Sequence, residues 1–424
     1  MKTIITLLAL TLGASAACAK TTILTADRMI DVENGKLITN AVVVMEDNTI
    51  VAAGTKRSVT IPSDADVMAL GDYTLMPGLM DMHVHLTSDA TKHGYKRLAD
   101  SLPRVTLTGV KHAKATLMAG FTTVRNVGAP GFADVALRDA INDGDIQGPR
   151  MFVSGPSLGV TGGHCDNNLL PYEFHSVSEG VADGPWAVRE IVRRNIKYGA
   201  TVIKFCGTGG VLSKGTKVGV QQYTFEEMQA LVDEAHMRGL TVATHAHGTS
   251  GIKTAIKAGV DSVEHVSLLD EEGIELALEH GTYFSMDIYV TEYILSEGEK
   301  AGILEESLAK ERIVGKRQRE NFQKAVKAGV KMVFGSDAGV YPHGDNGKQF
   351  ARMVRFGMTP MQAIQAATIH PAALLKQQDM LGSISAGKKA DIVGVKGNPL
   401  DDISLLENVG LVVKDGHVVK SVAM

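Results

Sequence analysis

The stretch TVATHAHGTSGIKTAIKAGVDSVEH (residues 241–265) contains the pattern that decides the fold. Thr241–His245 and Ser262–His265 are short runs typical of strands, and the helical pattern Ile252–Ala258 lies between them. Gly259 directly follows the helix, where glycine is favoured because it tolerates the left-handed conformation that ends many helices. Two strands joined by a helix run parallel in one sheet, so this stretch predicts a βαβ unit.

The same pattern extends through the middle of the chain. Glycine also follows four other predicted helices, at Gly120, Gly199, Gly239 and Gly329. Eight strands within about 260 residues, with helices between most of them, fit a TIM-like (β/α)8 barrel. An open, doubly wound sheet is the alternative, but no G-x-G-x-x-G motif follows the first strand. The predicted strands are Leu79–Leu86, Thr122–Val127, Arg150–Ser154, Val202–Phe205, Thr241–His245, Ser262–His265, Tyr283–Ile288 and Lys331–Phe334.

Short β-type runs separated by turns occupy both ends of the chain. The pairs Asp47-Asn48 and Asp415-Gly416 each lie between two such runs. Both pairs are typical of β-hairpin turns. We therefore predict an α/β fold in which a (β/α)8 barrel carries a small β-sandwich domain formed from both termini. The predicted boundaries are 76–373 for the barrel, and 20–75 with 374–424 for the β-sandwich domain.

The first nineteen residues are typical of a secretory signal peptide. A positive start at Lys2 precedes an apolar run at 4–12 and small residues at 14–19 that provide a cleavage site. A membrane anchor is the alternative, but the apolar run is well short of the roughly 20 residues that span a bilayer. Lipid attachment at Cys18 is disfavoured because Ser15 stands where a large aliphatic residue is expected. We therefore predict a periplasmic or secreted mature protein.

Two cysteines, Cys165 and Cys206, remain after the predicted cleavage. An oxidising compartment permits a disulfide between them. Because both lie next to motif residues described below, we expect them to be free and buried.

The charge balance excludes a nucleic-acid-binding protein that relies on bulk positive charge. The 424 residues include 43 Lys and Arg against 47 Asp and Glu, a formal net charge of −4. Aromatic residues make up only 5%, which leaves little material for base-stacking surfaces. No segment after the N-terminal one is long enough to span a membrane. We therefore expect no nucleic-acid partner and no membrane span.

Histidines and one aspartate mark the ends of the predicted strands. His83 and His85 are two residues apart, so both face the same way in an extended chain. His245 and His265 end two later strands, and Asp337 follows the last one. Catalytic groups of (β/α)8 barrels gather at the carboxyl ends of the strands, so these side chains are expected to converge. Four imidazoles and one carboxylate suit Zn²⁺ or a similar divalent ion.

Lys204 lies inside the apolar strand VIKFC (residues 202–206). Burial of an ammonium group is costly, so a lysine paired with an acid is the ordinary interpretation. Beside metal ligands, the neutral amine can instead react with CO₂ to form a carbamate. That anion could bridge two cations, and we predict it here.

These residues lie in motifs that resemble the amidohydrolase superfamily, in its binuclear branch. The resemblance runs from about residue 22 to the C-terminus and is strongest to secreted prolidase-like and Xaa-Arg/Lys carboxypeptidase-like enzymes, the group that includes ochratoxin-hydrolysing amidases. Asn126 departs from the family pattern, in which Asp often follows the arginine, and Cys165 stands where Gly is usual. The motifs are MPGLMDMHVH (76–85), GFTTVR (120–125), TGGHCD (161–166), GTGGV (207–211), HAHG (245–248), SDAGV (336–340), PHG (342–344), LGSISAGKKADIV (381–393) and GNPL (397–400).

The resemblance implies a centre of two divalent metal ions, most simply Zn²⁺. A hydroxide shared by the two metals would attack the scissile amide. Asp337 would take the proton of that hydroxide and pass it to the leaving amine. The implied ligands are His83, His85 and Asp337 for one metal, His245 and His265 for the other, and carboxylated Lys204 as the bridge.

The resemblance also suggests the residues that contact substrate. His164 would steady the carbonyl oxyanion or the substrate carboxylate, and with Asp337 and His265 it forms the predicted catalytic set. The alternative is that His164 only structures its Gly-rich loop. His247, Tyr289 and His343 are further candidates to bind the substrate carboxylate.

The predicted function is hydrolysis of the amide bond of an N-acyl amino acid or dipeptide, with ochratoxin-type amides included. A deaminase or cyclic-amide hydrolase of the same fold commonly uses one metal and needs no bridging lysine, so Lys204 argues against it. A non-catalytic periplasmic binding protein is a third alternative, and the full ligand set argues against that. The resemblance implies a homo-oligomer, with an octamer as one form.

Overall fold

A computed structural model describes residues 21–62 and 65–421, so the predicted signal peptide lies outside the described residues. The strands within these ranges are β1 (Thr21–Asp31), β2 (Lys36–Glu46), β3 (Thr49–Thr55), β4 (Asp66–Ala69), β5 (Tyr73–Pro77), β6 (Leu79–Val84), β7 (Phe121–Asn126), β8 (Arg150–Val153), β9 (Val202–Cys206), β10 (Thr241–Ala246), β11 (Ser262–His265), β12 (Tyr283–Ser285), β13 (Met332–Val333), β14 (Ile392–Lys396), β15 (Leu411–Lys414) and β16 (His417–Lys420). The α-helices are α1 (Leu102–Met118), α2 (Ala133–Asn142), α3 (Pro185–Lys197), α4 (Phe225–Met237), α5 (Thr249–Lys257), α6 (Glu271–His280), α7 (Val290–Ala301), α8 (Glu305–Ala328), α9 (Lys348–Arg355), α10 (Pro360–Ala366) and α11 (Ile369–Leu374).

The two β-rich ends of the chain form one mixed sheet. Its strand order is β16-β15-β14-β5-β1-β2-β3, and β4 pairs with β1. Alternate residues of β2 pack on opposite faces, because Val43 belongs to one apolar cluster and Val42 and Val44 to another. Both predicted hairpins form, with Asp47 and Asp415 in the left-handed conformation that tight turns require. The ends therefore join as predicted, while the boundary residues stay a prediction.

The middle of the chain forms two parallel sheets, which confirms the predicted α/β class. One sheet has the order β6-β7-β8 and the other β13-β12-β11-β10-β9. Each of the eight predicted strands overlaps one of these. Backbone hydrogen bonds join the sheets at both edges: the Met82 N–H donates to Phe334 O over 2.8 Å, and the Thr201 N–H donates to Val153 O over 2.8 Å.

The glycines predicted to end helices all adopt positive φ. The angles are +98° at Gly120, +101° at Gly199, +77° at Gly239, +93° at Gly259 and +81° at Gly329. Side chains other than Asn or Asp rarely adopt this conformation, so each glycine lets the chain turn from a helix into the next strand. Over residues 21–62 and 65–421, none of the helices has the length and apolar character needed to cross a membrane.

The expectation that Cys165 and Cys206 are free thiols is wrong. The two residues form a disulfide across 41 positions of sequence, with their Cα atoms 5.9 Å apart. The segment after β8 passes alongside β9, where the Leu158 N–H donates to Lys204 O and the Cys206 N–H donates to Leu158 O. This pairing brings Cys165 next to Cys206. The position of the two cysteines next to motif residues therefore did not indicate free thiols.

Candidate metal centre

The carboxyl ends of β6, β9, β10 and β11 and the turn after β13 bring the predicted metal ligands together. Asp337 is tied to β6 because its N–H donates to His83 O over 2.8 Å. His265 and Asp337 both have positive φ, +70° and +57°. Such a conformation is unfavourable for these residues and is common at functional sites, where the surrounding structure holds it in place.

The first group of ligand atoms centres on Asp337. One carboxylate oxygen, Oδ1, lies 3.4 Å from His83 Nε2 and 3.4 Å from His85 Nε2. Ligand atoms of His83, His265 and Asp337 all lie within 4.8 Å of one another. Burial by itself would raise the pKa of Asp337, but His83, His85 and His265 outweigh it and hold that pKa well below its usual range. The group therefore presents an ionised carboxylate among imidazoles.

The second group consists of His245, His247 and His265, whose ring nitrogens lie within 4.8 Å of one another. His247 was predicted only as a substrate residue, and its place in this group is a finding of the structure. The ring nitrogen His245 Nε2 is buried and has no hydrogen-bond partner among the described residues. Burial is also the main cause that lowers the pKa of His245 far below its usual value. A buried, neutral imidazole with a free nitrogen fits a metal ligand.

Lys204 lies on β9, near enough to both groups to lower the pKa values of His83 and His245, and it is only 3% exposed. No salt bridge to its amine occurs among the residues that the structure describes. Burial lowers the pKa of Lys204 to about 8, although Glu264, Asp337 and Asp287 oppose that change. The lysine therefore has acids nearby but no direct ion pair with any of them.

Glu264 and Arg125 hold His83 of the first group in place, and neither residue was predicted to have a role. His83 Nδ1 donates to Glu264 Oε2 over 3.1 Å. Arg125 donates to Glu264 Oε1 over 2.7 Å, and both side chains are fully buried. A hydrogen bond at one ring nitrogen directs the other towards the site. The signal in the sequence was a glutamate in a predicted strand, one residue before a candidate ligand.

Asp287 orients the ring of His265, as Glu264 orients that of His83. His265 Nδ1 lies 2.9 Å from Asp287 Oδ1, and Gln318 from α8 donates to that oxygen over 2.8 Å. Burial tends to lower the pKa of His265, but Asp287 raises it overall. Asp287 is the second residue after β12, so its position just after a strand end was the available signal.

Among the predicted substrate residues, His164 reaches the cluster. Its ring centroid lies 4.1 Å from that of His245. His164 Nδ1 hydrogen bonds with Ser213 Oγ over 2.8 Å, which leaves Nε2 for another partner. Burial lowers the pKa of His164 to about 3, so the ring is neutral at physiological pH.

His343 and Tyr289 have other surroundings. His343 Nε2 donates to His85 O over 3.1 Å, and Thr116 Oγ1 lies 3.2 Å from Nδ1, so these contacts do not support a role in binding substrate. His343 instead steadies the backbone of His85. Tyr289 lines a separate cavity of about 420 Å³ with Lys348 and Arg352, and none of the predicted metal ligands lines that cavity.

Asn126, the departure from the usual Asp, fits its environment. Its Oδ1 accepts from the Leu86 N–H over 2.8 Å, and its Nδ2 donates to Asp134 Oδ2 over 3.2 Å. An aspartate at this position would set two buried carboxylates against each other. The amide therefore suits the site because it both accepts and donates.

Comparisons with known proteins define the class. The model of the Amidohydrolase family matches residues 74–419, so the chain belongs to the amidohydrolase family. The chain is 34% identical over 417 residues to the ochratoxinase of Aspergillus niger, covering 93% of this chain and 85% of that protein. The predicted family and the predicted enzyme class, a hydrolase of amide bonds, are confirmed.

Solved structures give the same result. A Xaa-Pro dipeptidase with bound methionine in its active site is 40% identical, with a TM-score of 0.89 over 95% of this chain and 100% of that one. A prolidase complexed with N-methylphosphonate-L-proline is 32% identical, with a TM-score of 0.87 over 95% of this chain and 100% of that one.

Proposed function

We propose that the protein is a binuclear metal-dependent amidohydrolase that cleaves the amide bond of N-acyl amino acids or dipeptides. The observation that carries this proposal is the arrangement of two ligand groups that share His265, with a buried Lys204 near His83 of one group and His245 of the other. A single-metal site needs one such group and no buried lysine. The two-group arrangement therefore favours the amidase over a deaminase.

The donor set fits two divalent ions, and Zn²⁺ is the ion that suits imidazole and carboxylate ligands best. His83, His85 and Asp337 would hold one ion, and His245 and His265 the other. The neutral amine of Lys204 would attack the carbon of CO₂, so that an N–C bond forms, one C=O π bond becomes the carboxylate and the N–H proton passes to water. The resulting carbamate would be a further anionic ligand for the ions. When bound, such ions supply an activated water at neutral pH and polarise the scissile carbonyl.

The protein side chains handle the proton and the substrate. The Asp337 carboxylate, kept ionised by His83 and His85, would accept a proton from the attacking water and give it to the leaving nitrogen. His164 Nε2 would donate a hydrogen bond to the carbonyl oxygen or to the substrate carboxylate. His247 adds a ring nitrogen near those of His245 and His265, and Ser267 Oγ lies 2.7 Å from its Nδ1.

The fold that holds these groups is proposed to be one (β/α)8 barrel with a β-sandwich domain. Hydrogen bonds at both edges of the two parallel sheets support closure into a single barrel. The Cys165–Cys206 disulfide supports an oxidising compartment, and with it export directed by a cleaved signal peptide. Assembly into a homo-oligomer remains part of the proposal.

A substrate panel combined with metal analysis tests the function. The panel should contain ochratoxin A and Xaa-Pro dipeptides, for which two relatives are named, together with the Xaa-Arg dipeptides and N-acyl aromatic amino acids that the sequence resemblance suggests. We expect hydrolysis of at least one member and two equivalents of metal per chain. Release of ammonia from adenine by a protein that binds one equivalent of metal would favour a deaminase. A protein that binds no metal and hydrolyses no panel member would favour a binding protein.

A further inference from the structure

The Cys165–Cys206 disulfide joins two segments that border the histidine cluster. Cys206 is the last residue of β9, two positions after Lys204. Cys165 directly follows His164, in the turn after β8. The bond therefore connects the strand of the proposed bridging lysine to the turn that carries the candidate oxyanion residue.

Ring packing and two hydrogen bonds hold His164, whose ring lies against Gly210 and His245. Its N–H donates to Gln222 Oε1 over 3.0 Å, and its Nδ1 hydrogen bonds with Ser213 Oγ over 2.8 Å. Both partners lie in the irregular segment that leaves β9 directly after Cys206. Irregular segments open locally at lower free energy than core strands do, so these two hydrogen bonds depend on the position of that segment. The disulfide at Cys165 links the turn to Cys206, where the segment that carries Ser213 and Gln222 begins.

We propose that the disulfide is a positioning cross-link that holds the His164 ring against His245, and that the reduced enzyme has lower turnover. The proposal rests on the proposed function and deepens it, because it makes full activity depend on oxidation of the exported chain. A catalytic group displaced by about 1 Å can lose up to about 100-fold in rate, so a cross-link at the adjacent residue can have a large effect. Cys206 is 2% exposed and Cys165 is half-buried, so Cys165 is the more accessible of the two residues.

The redox step is thiol–disulfide exchange. When the bond forms, the two thiols lose two electrons and two protons, which pass to a disulfide-bearing oxidant. When a dithiol reductant breaks the bond, the reductant becomes a cyclic disulfide and both cysteines become thiols.

The first test counts thiols. The purified, metal-loaded protein should show no alkylated cysteine at these two positions by mass spectrometry, and two after treatment with dithiothreitol. Two alkylated positions without reductant, in protein exported to an oxidising compartment, would overturn the proposal.

The second test is kinetic and uses the best substrate of the panel. Reduction should lower kcat by about 10- to 100-fold, with little change in metal content and recovery on reoxidation. The double variant Cys165→Ser/Cys206→Ser should match the reduced protein and should not respond to dithiothreitol. In a His164→Ala background, reduction should change kcat less than about twofold, because the positioned group is already gone. An unchanged kcat, a loss of metal, or an equal loss in the His164→Ala variant would each overturn the proposal.

A third measurement does not depend on catalysis. Reduction should speed hydrogen exchange in residues 160–166 and leave β10 and β11 unchanged. This result and the thiol count stand even if no panel member is hydrolysed, so a failure of the proposed function is distinguishable from a failure of the cross-link. Equal exchange in oxidised and reduced protein would show that the bond does not position the turn.

Discussion

Glu264 Oε2 lies 3.1 Å from His83 Nδ1 at the base of the candidate metal centre. The other carboxylate oxygen accepts from Arg125 and from Ser262 Oγ, each over 2.7 Å. Arg125 therefore holds the carboxylate, and the carboxylate directs the ring of His83. Burial alone would raise the pKa of Glu264, but Arg125 and His83 hold it well below its usual range. The carboxylate is thus charged and increases the basicity of the ligand that it orients.

We expect Glu264→Gln to weaken Zn²⁺ affinity by about 10- to 100-fold, because the neutral amide supports His83 less well. The same change leaves Arg125 without its charged partner, which costs about 3–5 kcal/mol of stability. Competition with a chromophoric chelator measures the affinity, and circular dichroism confirms that the variant is folded. Glu275→Gln, on the exposed face of α6, is the matched control. Equal Zn²⁺ affinities of wild type and Glu264→Gln would show that the Glu264 carboxylate does not affect metal binding by His83.

The positions of the candidate ligand histidines were predictable because each lies at or next to the carboxyl end of a strand. The strand direction in a parallel sheet places those ends at the same edge. Glu264 and Asp287 carried a weaker signal, because an acid at or just after a strand end is visible in sequence but its partner is not.

The loop residues were harder to predict because no periodicity governs the path of a loop. Cys165 and Cys206 are 41 positions apart, and their pairing depends on how the segment after β8 lies along β9. Tyr289 and His343 lie in the segments after β12 and β13, where Tyr289 faces a separate cavity and His343 contacts the backbone of His85. Their directions depend on packing against α9 and α1, which local sequence does not encode.

Replacement of the buried lysine tests the bridge. We expect Lys204→Ala to abolish activity and to reduce metal content below two equivalents, because the cations lose the anion between them. Acetate at high concentration should restore part of the activity as a surrogate bridge. Lys327→Ala, an exposed residue at the end of α8, is the control and should behave as wild type. A Lys204→Ala protein with near-normal turnover and two metals would contradict the carbamate.

Stability should depend on pH through Asp134, which is fully buried beside Asn126. Burial raises the pKa of Asp134 from 3.8 to about 6. The folded protein therefore binds this proton more tightly than the unfolded chain does. The resulting stabilisation is complete below about pH 4 and is lost as the pH rises to about 6, a change of about 3 kcal/mol.

Asp134→Asn should flatten this dependence, because the amide does not titrate. Urea unfolding at several values between pH 4 and pH 7 measures it, and the difference between variant and wild type removes the effect of other groups. Loss of an acceptor for the Val135 or Gly155 N–H should lower stability at every pH. The slope of the unfolding free energy against pH is therefore the quantity that tests the prediction. Asp143→Asn, exposed after α2, should keep the wild-type slope. An unchanged slope in Asp134→Asn would contradict the raised pKa.

Asp337 combines the roles of ligand and proton carrier, and Asp337→Asn separates them. The amide keeps the size of the side chain and one coordinating oxygen, but it cannot accept a proton. Metal should therefore be largely retained while kcat falls by about 10²- to 10⁴-fold, the range expected when general acid–base catalysis is lost. KM should stay equal or fall, since ground-state contacts survive. Steady-state kinetics and metal analysis of the same sample measure both quantities. Wild-type kcat at neutral pH would require another proton carrier, and His164 would be the next candidate because both ring nitrogens of His343 already contact protein atoms.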